Sequence, residues 1–234
     1  MAIHTKQESM EGAAKRMDGT IRRLRLDAHA SLEAVYEAPE SPDVFRRSLD
    51  GALNRQSRNE ITVEQAVLSP DLAPQWIAAL LALDARVGFV EEAQEAALAD
   101  FLRRVGPDHG GIAAVHVPLS VPGSVSGEAY LVRTYAGAPI VAAIAVVILT
   151  EGFVCQARLA LTGVWREPAR LADSADLLVG GPLIVRRIRR VAEAIGQEVT
   201  PRDDGLGTAA PPQAIAGVLT YCALEQCRKG ACGL

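Results

Sequence analysis

Apolar positions follow a helical period in the first half of the chain, an alternating one in the third quarter, and a helical one again to the end. Ile21, Leu24, Leu32 and Val35 make a loose helical pattern that stops at Pro39 and Pro42, within a polar lead-in. "VFRRSLDGALNR" predicts a short helix, and "RNEITVEQAVLSPD", from Arg58 to Asp71, reads as a polar, then β-branched, then turn-like stretch entering the next one. In "APQWIAALLALDARV", Trp76, Ala79, Leu80 and Leu83 recur at i, i+3, i+4, i+7 and give one apolar face. "EEAQEAALADFLRRV" is a second helical candidate.

The period changes after Gly110 and Gly111. "IAAVHVPLS" alternates through Val115, Val117 and Leu119, and "EAYLVRTY", "PIVAAIAVVIL" and "VCQARLALTGVW" are further strand candidates. In the last, Leu159, Leu161, Gly163 and Trp165 share one side. "SVPGSVSG" holds turn residues and "TEG" is the length of a hairpin loop, so consecutive strands with short links predict an antiparallel sheet. Ile184, Ile188, Val191 and Ile195 then form one helical stripe; Ile215, Val218, Leu219 and Cys222 form another. Strands followed by helices make an α+β fold, with helices packed on a sheet face.

Composition narrows the class. At 234 residues, 49% hydrophobic and 22% charged, the chain is long enough to bury a real core. Aromatics are only 4%, so that core rests on Ala, Val, Leu and Ile. A net charge of −4 argues against a nucleic-acid binder, and the basic runs "RRLRL" and "VRRIRR" read as exposed helix faces. "AGAPIVAAIAVVIL" is too short to span a bilayer, contains Pro139, and suits a strand buried on both faces. With no signal peptide read at the polar start, a cytoplasmic location is expected.

Candidate chemistry is sparse. The four histidines, His4, His29, His109 and His116, show no metal-pair spacing, and His116 reads as a structural strand residue. Cys222, Cys227 and Cys232 are five residues apart, which on a helix rotates each thiol off the previous one's face, so no metal site is expected. Cys155 reads as a small core residue, with Trp165 and Asp84 serving packing or capping. No nucleophile elbow or Walker loop occurs, "GLG" at Gly205 to Gly207 reads as a flexible loop, and no catalytic residue is assigned.

Five segments in order, "AALLALDARV", "LADFL", "VHVPL", "ARLALTGVWREPARL" with "ADLLVGG", and "TPRDD", resemble the FAD-binding medium subunit of molybdenum hydroxylases. That family includes the carbon monoxide dehydrogenase medium subunit and the flavin domain of xanthine dehydrogenase. The resemblance covers about Arg58 to Cys227. It implies a remnant of the second FAD-binding subdomain, in a shortened region 1–110 with an unmatched lead-in 1–57, followed by a C-terminal domain 111–234 of antiparallel sheet packed with helices. It also implies an FAD cofactor, electron transfer from molybdenum and iron–sulfur subunits as partners, and a possible homo-oligomer.

The departures from the family carry as much information. Residues 1–57 contain no glycine-rich first phosphate turn. The second turn, in the family close to R-N-x-G-T-I-G-G-N, is Arg58-Asn59-Glu60-Ile61-Thr62-Val63-Glu64-Gln65-Ala66, with Glu64 and Gln65 in place of the paired glycines. Arg58, Asn59 and Thr62 are the surviving candidates for cofactor contact. Glycine lets the backbone approach a phosphate closely, whereas a glutamate adds bulk and like charge. Two like charges about 4 Å apart repel by roughly 4 kcal/mol at an effective dielectric near 20, about a thousandfold in affinity. An acidic family position falls on Gln75, a lysine on Val132, two arginines on Tyr135 and Ala136, and an S-A-x-Y-R-like segment on "TAAPPQA". Three readings follow: a homologue with weakened or lost FAD binding and a structural or assembly role; an electron-transfer flavin subunit with FAD in an altered mode or completed by a partner; or a standalone small-molecule-binding protein.

Overall fold

The structure, a computed structural model, describes residues 4–8, 21–50, 52–91, 94–104, 111–119, 121–132, 139–200 and 211–233. Two antiparallel sheets and their helices share one central helix. The first sheet contains β1 (His4–Glu8), β2 (Ile21–Asp27), β3 (Arg86–Phe89), β4 (Glu95–Ala97) and β5 (Ile112–Leu119), in the order β1-β2-β5-β3-β4. The second contains β6 (Ser124–Val132), β7 (Pro139–Thr150), β8 (Phe153–Thr162) and β9 (Ala169–Leu171), in chain order. Between β2 and β3 run α1 (Leu32–Glu37), α2 (Asp43–Leu49), α3 (Arg55–Glu60), α4 (Val63–Leu68) and α5 (Pro74–Ala82); α6 (Leu98–Arg104) follows β4. After β9 come α7 (Val185–Glu198) and α8 (Pro212–Ala231). The architecture is α+β, as the pattern predicts.

The "RRLRL" run is a strand rather than a helix face. Within it the period is two: Leu24 and Leu26 enter the core while Arg23 and Arg25 take the other face. A turn then breaks the chain, with the His29 amide donating to Asp27 Oδ1 at 3.0 Å and the Ala30 amide to the Asp27 carbonyl at 3.0 Å. The helical candidate from Glu91 is likewise divided into β4 and α6, with Glu92, Ala93 and Val105 outside the described residues. β5 does not join the strands that follow it: it pairs with β2 and β3, so the break between sheets falls after Leu119. Alternation identifies a strand but not its neighbour, and both neighbours of β5 come from the preceding chain.

α5 is buried on all sides, from Gln75 to Ala82, rather than along one face. Trp76 meets Phe45 of α2 edge-on at 6.0 Å between ring centroids. Ile144, Val146, Ala160 and Ala169 of the second sheet belong to the same core cluster as α5. The opposite sheet face, with Val141, Ala143, Leu159, Leu161 and Trp165, packs with Ile188, Val191 and Ile195 of α7 and with α8. β7 is therefore covered on both faces, which is why its sequence is a nearly unbroken apolar run. The β7–β8 loop is the expected hairpin, with Glu151 and Gly152 at φ 52° and 82°.

Three buried-residue expectations are corrected. Cys155 is exposed: the β7–β8 register shifts so that Ile148 faces Gln156 and Leu149 faces Val154, leaving Cys155 as the extra residue. Ile184 caps α7 and is exposed. On α8 the buried stripe is Ala216, Leu219, Thr220, Ala223, Leu224 and Cys227, while Val218 (62% exposed) and Cys222 face outward. Small residues are required there because α8 lies against β6 so closely that a Cβ on Gly127 would fall 2.0 Å from the Ala223 carbonyl oxygen.

Candidate functional site

The stretch Arg58–Ala66, which the sequence resemblance sets against a phosphate turn, forms a tight link between α3 and α4. Asn54 caps α3 by accepting from the Ser57 amide at 2.9 Å. Ile61 ends that helix, and its carbonyl accepts from the Leu32 amide at 2.9 Å. Thr62 then caps α4 in a reciprocal box: its hydroxyl accepts from the Gln65 amide at 3.2 Å, and the Gln65 side chain accepts from the Thr62 amide at 2.9 Å. The Val63 amide donates to the Ala30 carbonyl at 2.9 Å, and the Glu64 amide to the Ala28 carbonyl at 3.0 Å. Each backbone N–H from Thr62 to Ala66 thus has an acceptor within the protein.

The side chains are committed in the same way. Arg58 lies buried at 9% exposure and donates through Nε to Glu33 Oε2 at 2.6 Å, with Glu33 itself at 5%. Its Nη1 donates to the Leu53 carbonyl at 2.9 Å, and its guanidinium stands 4.2 Å from the Tyr36 ring centroid. Arg55 adds a second cation to Glu33 at 3.0 Å. Asp50, hydrogen-bonded to the Tyr36 phenol, raises that group's pKa. Asn59 donates back to the Arg55 carbonyl at 3.0 Å. Glu64 reaches toward β5, where its Oε1 accepts from the Ile112 amide at 3.3 Å. Arg58, Asn59 and Thr62 are near one another in sequence, but each serves a different internal bond.

Of the other positions implied by the resemblance, Gln75 is buried at the start of α5 and Val132 is exposed at the end of β6. Tyr135, Ala136, Gly205 to Gly207, Pro201 to Asp204 of "TPRDD" and Thr208 to Ala210 of "TAAPPQA" lie outside the described residues, while Pro211 caps α8 and Pro212, Gln213 and Ala214 begin it. Asp84, in the left-handed region at φ 60°, pairs with Arg158 of β8 at 2.8 Å and so ties the α5–β3 corner to the second sheet.

Two features were not legible in the sequence. Glu95 of β4 gathers His116 Nδ1 at 2.7 Å, Arg23 at 3.1 Å and Arg86 at 3.2 Å on the polar face of the first sheet. A cleft of about 690 Å³ opens between the Pro70–Leu72 turn, α5, α6 and β9. No group of acidic, His or Cys side chains able to hold a metal occurs among the described residues. No described helix is long and apolar enough to cross a membrane.

A five-stranded antiparallel sheet with a capped helix link, joined to a second sheet backed by two helices, makes an α+β fold. Residues 131–227 match the CO dehydrogenase flavoprotein C-terminal domain family. Over those residues the chain is similar to the C-terminal domain of CO dehydrogenase flavoproteins, and its fold as a whole is shared with the following solved structures. A carbon monoxide dehydrogenase from Hydrogenophaga pseudoflava lacking the Mo-pyranopterin moiety aligns with TM-score 0.74 and 19% identity, over 91% of this chain and 76% of that one. Reconstituted CO dehydrogenase from Oligotropha carboxidovorans aligns with TM-score 0.73 and 19% identity, over 97% and 78%. Quinoline 2-oxidoreductase from Pseudomonas putida 86 gives 0.73 and 20%, over 89% and 76%. Among curated protein sequences none matches.

Proposed function

We propose that this protein is a medium-subunit homologue in which the FAD pyrophosphate site has been closed, leaving a structural or assembly role beside molybdenum and iron–sulfur subunits. The observation that carries this reading is the hydrogen-bond account of the turn. A phosphate needs backbone N–H groups that point outward, and here the amides of Thr62, Val63, Glu64 and Gln65 are all taken by internal acceptors. Glu64 adds a carboxylate beside them. Arg58 is held by Glu33 and the Leu53 carbonyl. The residues present do not fit a pyrophosphate, and no electron-transfer step is derived through a flavin.

The test is direct. Protein purified from its native host and passed through gel filtration is expected to show no stoichiometric flavin absorbance, and FAD titration no saturable tight binding. Stoichiometric bound flavin would overturn the proposal in favour of an electron-transfer subunit with FAD in an altered mode. The assembly role further predicts co-elution with molybdenum and iron–sulfur subunits from the same host. A chain that elutes free of both is not an assembly component.

A further inference from the structure

The two edges of the second sheet are finished differently. At β6 the edge is closed by a side chain of α8: the Glu128 amide donates to Gln226 Oε1 at 3.1 Å, and Gln226 Nε2 donates back to the Glu128 carbonyl at 2.7 Å. At β9 it is open. The Ala172 amide donates to the Leu159 carbonyl at 2.8 Å, and Leu171 faces Ala160 in the register. The alternation of an antiparallel ladder then turns the N–H and C=O of Ala169 and Leu171 away from β8. β9 ends the strand order, and no described residue bonds those four groups.

The cleft runs alongside this edge. Leu81 of α5, Leu102 of α6 and Leu171 give it apolar walls, while Arg103, Glu167 and Arg170 place both signs of charge around them. Arg170 is positioned over the Trp165 ring at 4.9 Å and, among the described residues, is bonded at 3.5 Å to the exposed Asp173, so its guanidinium retains donors for a further acceptor. Unfilled main-chain donors and acceptors beside an apolar trough of mixed charge match an extended polypeptide better than a compact ligand.

We propose that β9 is a docking edge for an extended segment of a partner protein. That segment pairs with the Ala169 and Leu171 backbone, sets one apolar side chain between Leu81 and Leu102, and carries a carboxylate toward Arg170. A second copy of this chain is the alternative occupant that the experiment separates. The edge shares no residue with the Arg58–Gln65 turn, so this inference and the flavin reading fail independently.

Random heptapeptides displayed on phage are selected against the full chain, and the enriched peptides are measured by fluorescence anisotropy. Leu171→Pro deletes one outward amide without touching the β8 ladder, a substitution an edge position tolerates. Arg103→Trp fills the cleft rim from an exposed site. Each variant is expected to keep the wild-type circular dichroism, Leu171→Pro with a lower Tm because its side chain packs on the first core, while weakening the peptides by about tenfold or more; Leu171→Ala, which loses the side chain but keeps the amide, is expected to weaken them less. Methylating alternate peptide nitrogens should abolish binding in one register only. An absence of enriched peptides, or peptides unaffected by both variants, overturns the proposal. Dimerisation in sedimentation velocity that is lost in Leu171→Pro overturns the choice of partner in favour of a second copy.

Discussion

Arg58, which the sequence resemblance sets in a phosphate turn, is committed to an internal ion pair. Buried against Glu33, it is an ion-pair partner whose removal leaves that buried carboxylate only the largely exposed Arg55. Breaking such a pair from one side destabilises by about 3 kcal/mol or more, whereas replacing both members with apolar residues is close to neutral. Arg58→Ala is therefore expected to lower the urea midpoint sharply, and Glu33→Leu with Arg58→Met to recover most of the loss. An unchanged midpoint in the single variant would place the pair in solvent. The thiols separate at the same scale. Cys155, Cys222 and Cys232 are exposed and should react with a disulfide reagent in the native state, while Cys227 should react only on unfolding. Burial pushes the Cys227 thiol from an ordinary 9.0 up to about 12. Its folded-state pKa is raised, so its stabilising contribution is complete below pH 9 and declines as pH rises from there toward 12. Alkaline denaturation that begins later in Cys227→Ala would register that decline.

Among elements, close approaches at glycine hold the second sheet together, and those at Gly127 and Gly163 are the closest. At Gly127 of β6, the α8 backbone comes within the space of a methyl group. At Gly163, φ is 73° and a Cβ would fall 2.0 Å from the Ile140 carbonyl oxygen. Alanine at either position forces backbone apart, and overpacking of this kind costs about 1–3 kcal/mol. Gly163→Ala adds left-handed strain to that, so it should be the more damaging of the two in thermal melts. A Gly127→Ala variant as stable as wild type would mean that α8 can move away from β6 without loss. The "ALTGV" motif that carries the family resemblance thus has a physical reason for its glycine. Its neighbour Trp165 was readable as a packing residue, whereas the small-residue stripe of α8 was not. Alanine, threonine and glycine give weak periodic signals, and only the distance to β6 reveals why they are there.

For the whole molecule, α5 makes the two sheets one structure. The helix is enclosed by the first-sheet core on one side and by Ile144, Val146 and Ala160 on the other, and the Asp84–Arg158 and Arg47–Glu128 pairs bridge the same junction. The two tryptophans report the two cores separately, Trp76 the first and Trp165 the second. In each single-tryptophan variant, Trp165→Phe or Trp76→Phe, the remaining tryptophan's fluorescence should therefore unfold at the same urea midpoint as the far-UV circular dichroism, as a two-state unit does. Separate midpoints would show that the sheets unfold independently and that α5 couples them weakly.

By itself the sequence determined the α+β class, the hairpin of long apolar strands between Pro139 and Thr162, the α7 stripe and the family resemblance. Each of these depends on periodicity or on short local motifs, which a chain carries along its length. Only the tertiary structure decided that β5 belongs to the first sheet, that α5 is covered on all sides, and that "RRLRL" is a strand. It also decided the state of the turn at Arg58–Gln65. The absence of glycine there is visible in the sequence, but the acceptors that consume its amides, at Ala28 and Ala30, come from the β2–α1 connection, more than thirty residues upstream of the amides they bind. Periodicity reports the environment of one side chain, whereas pairing and hydrogen-bond satisfaction are properties of segments that meet only when the chain has folded.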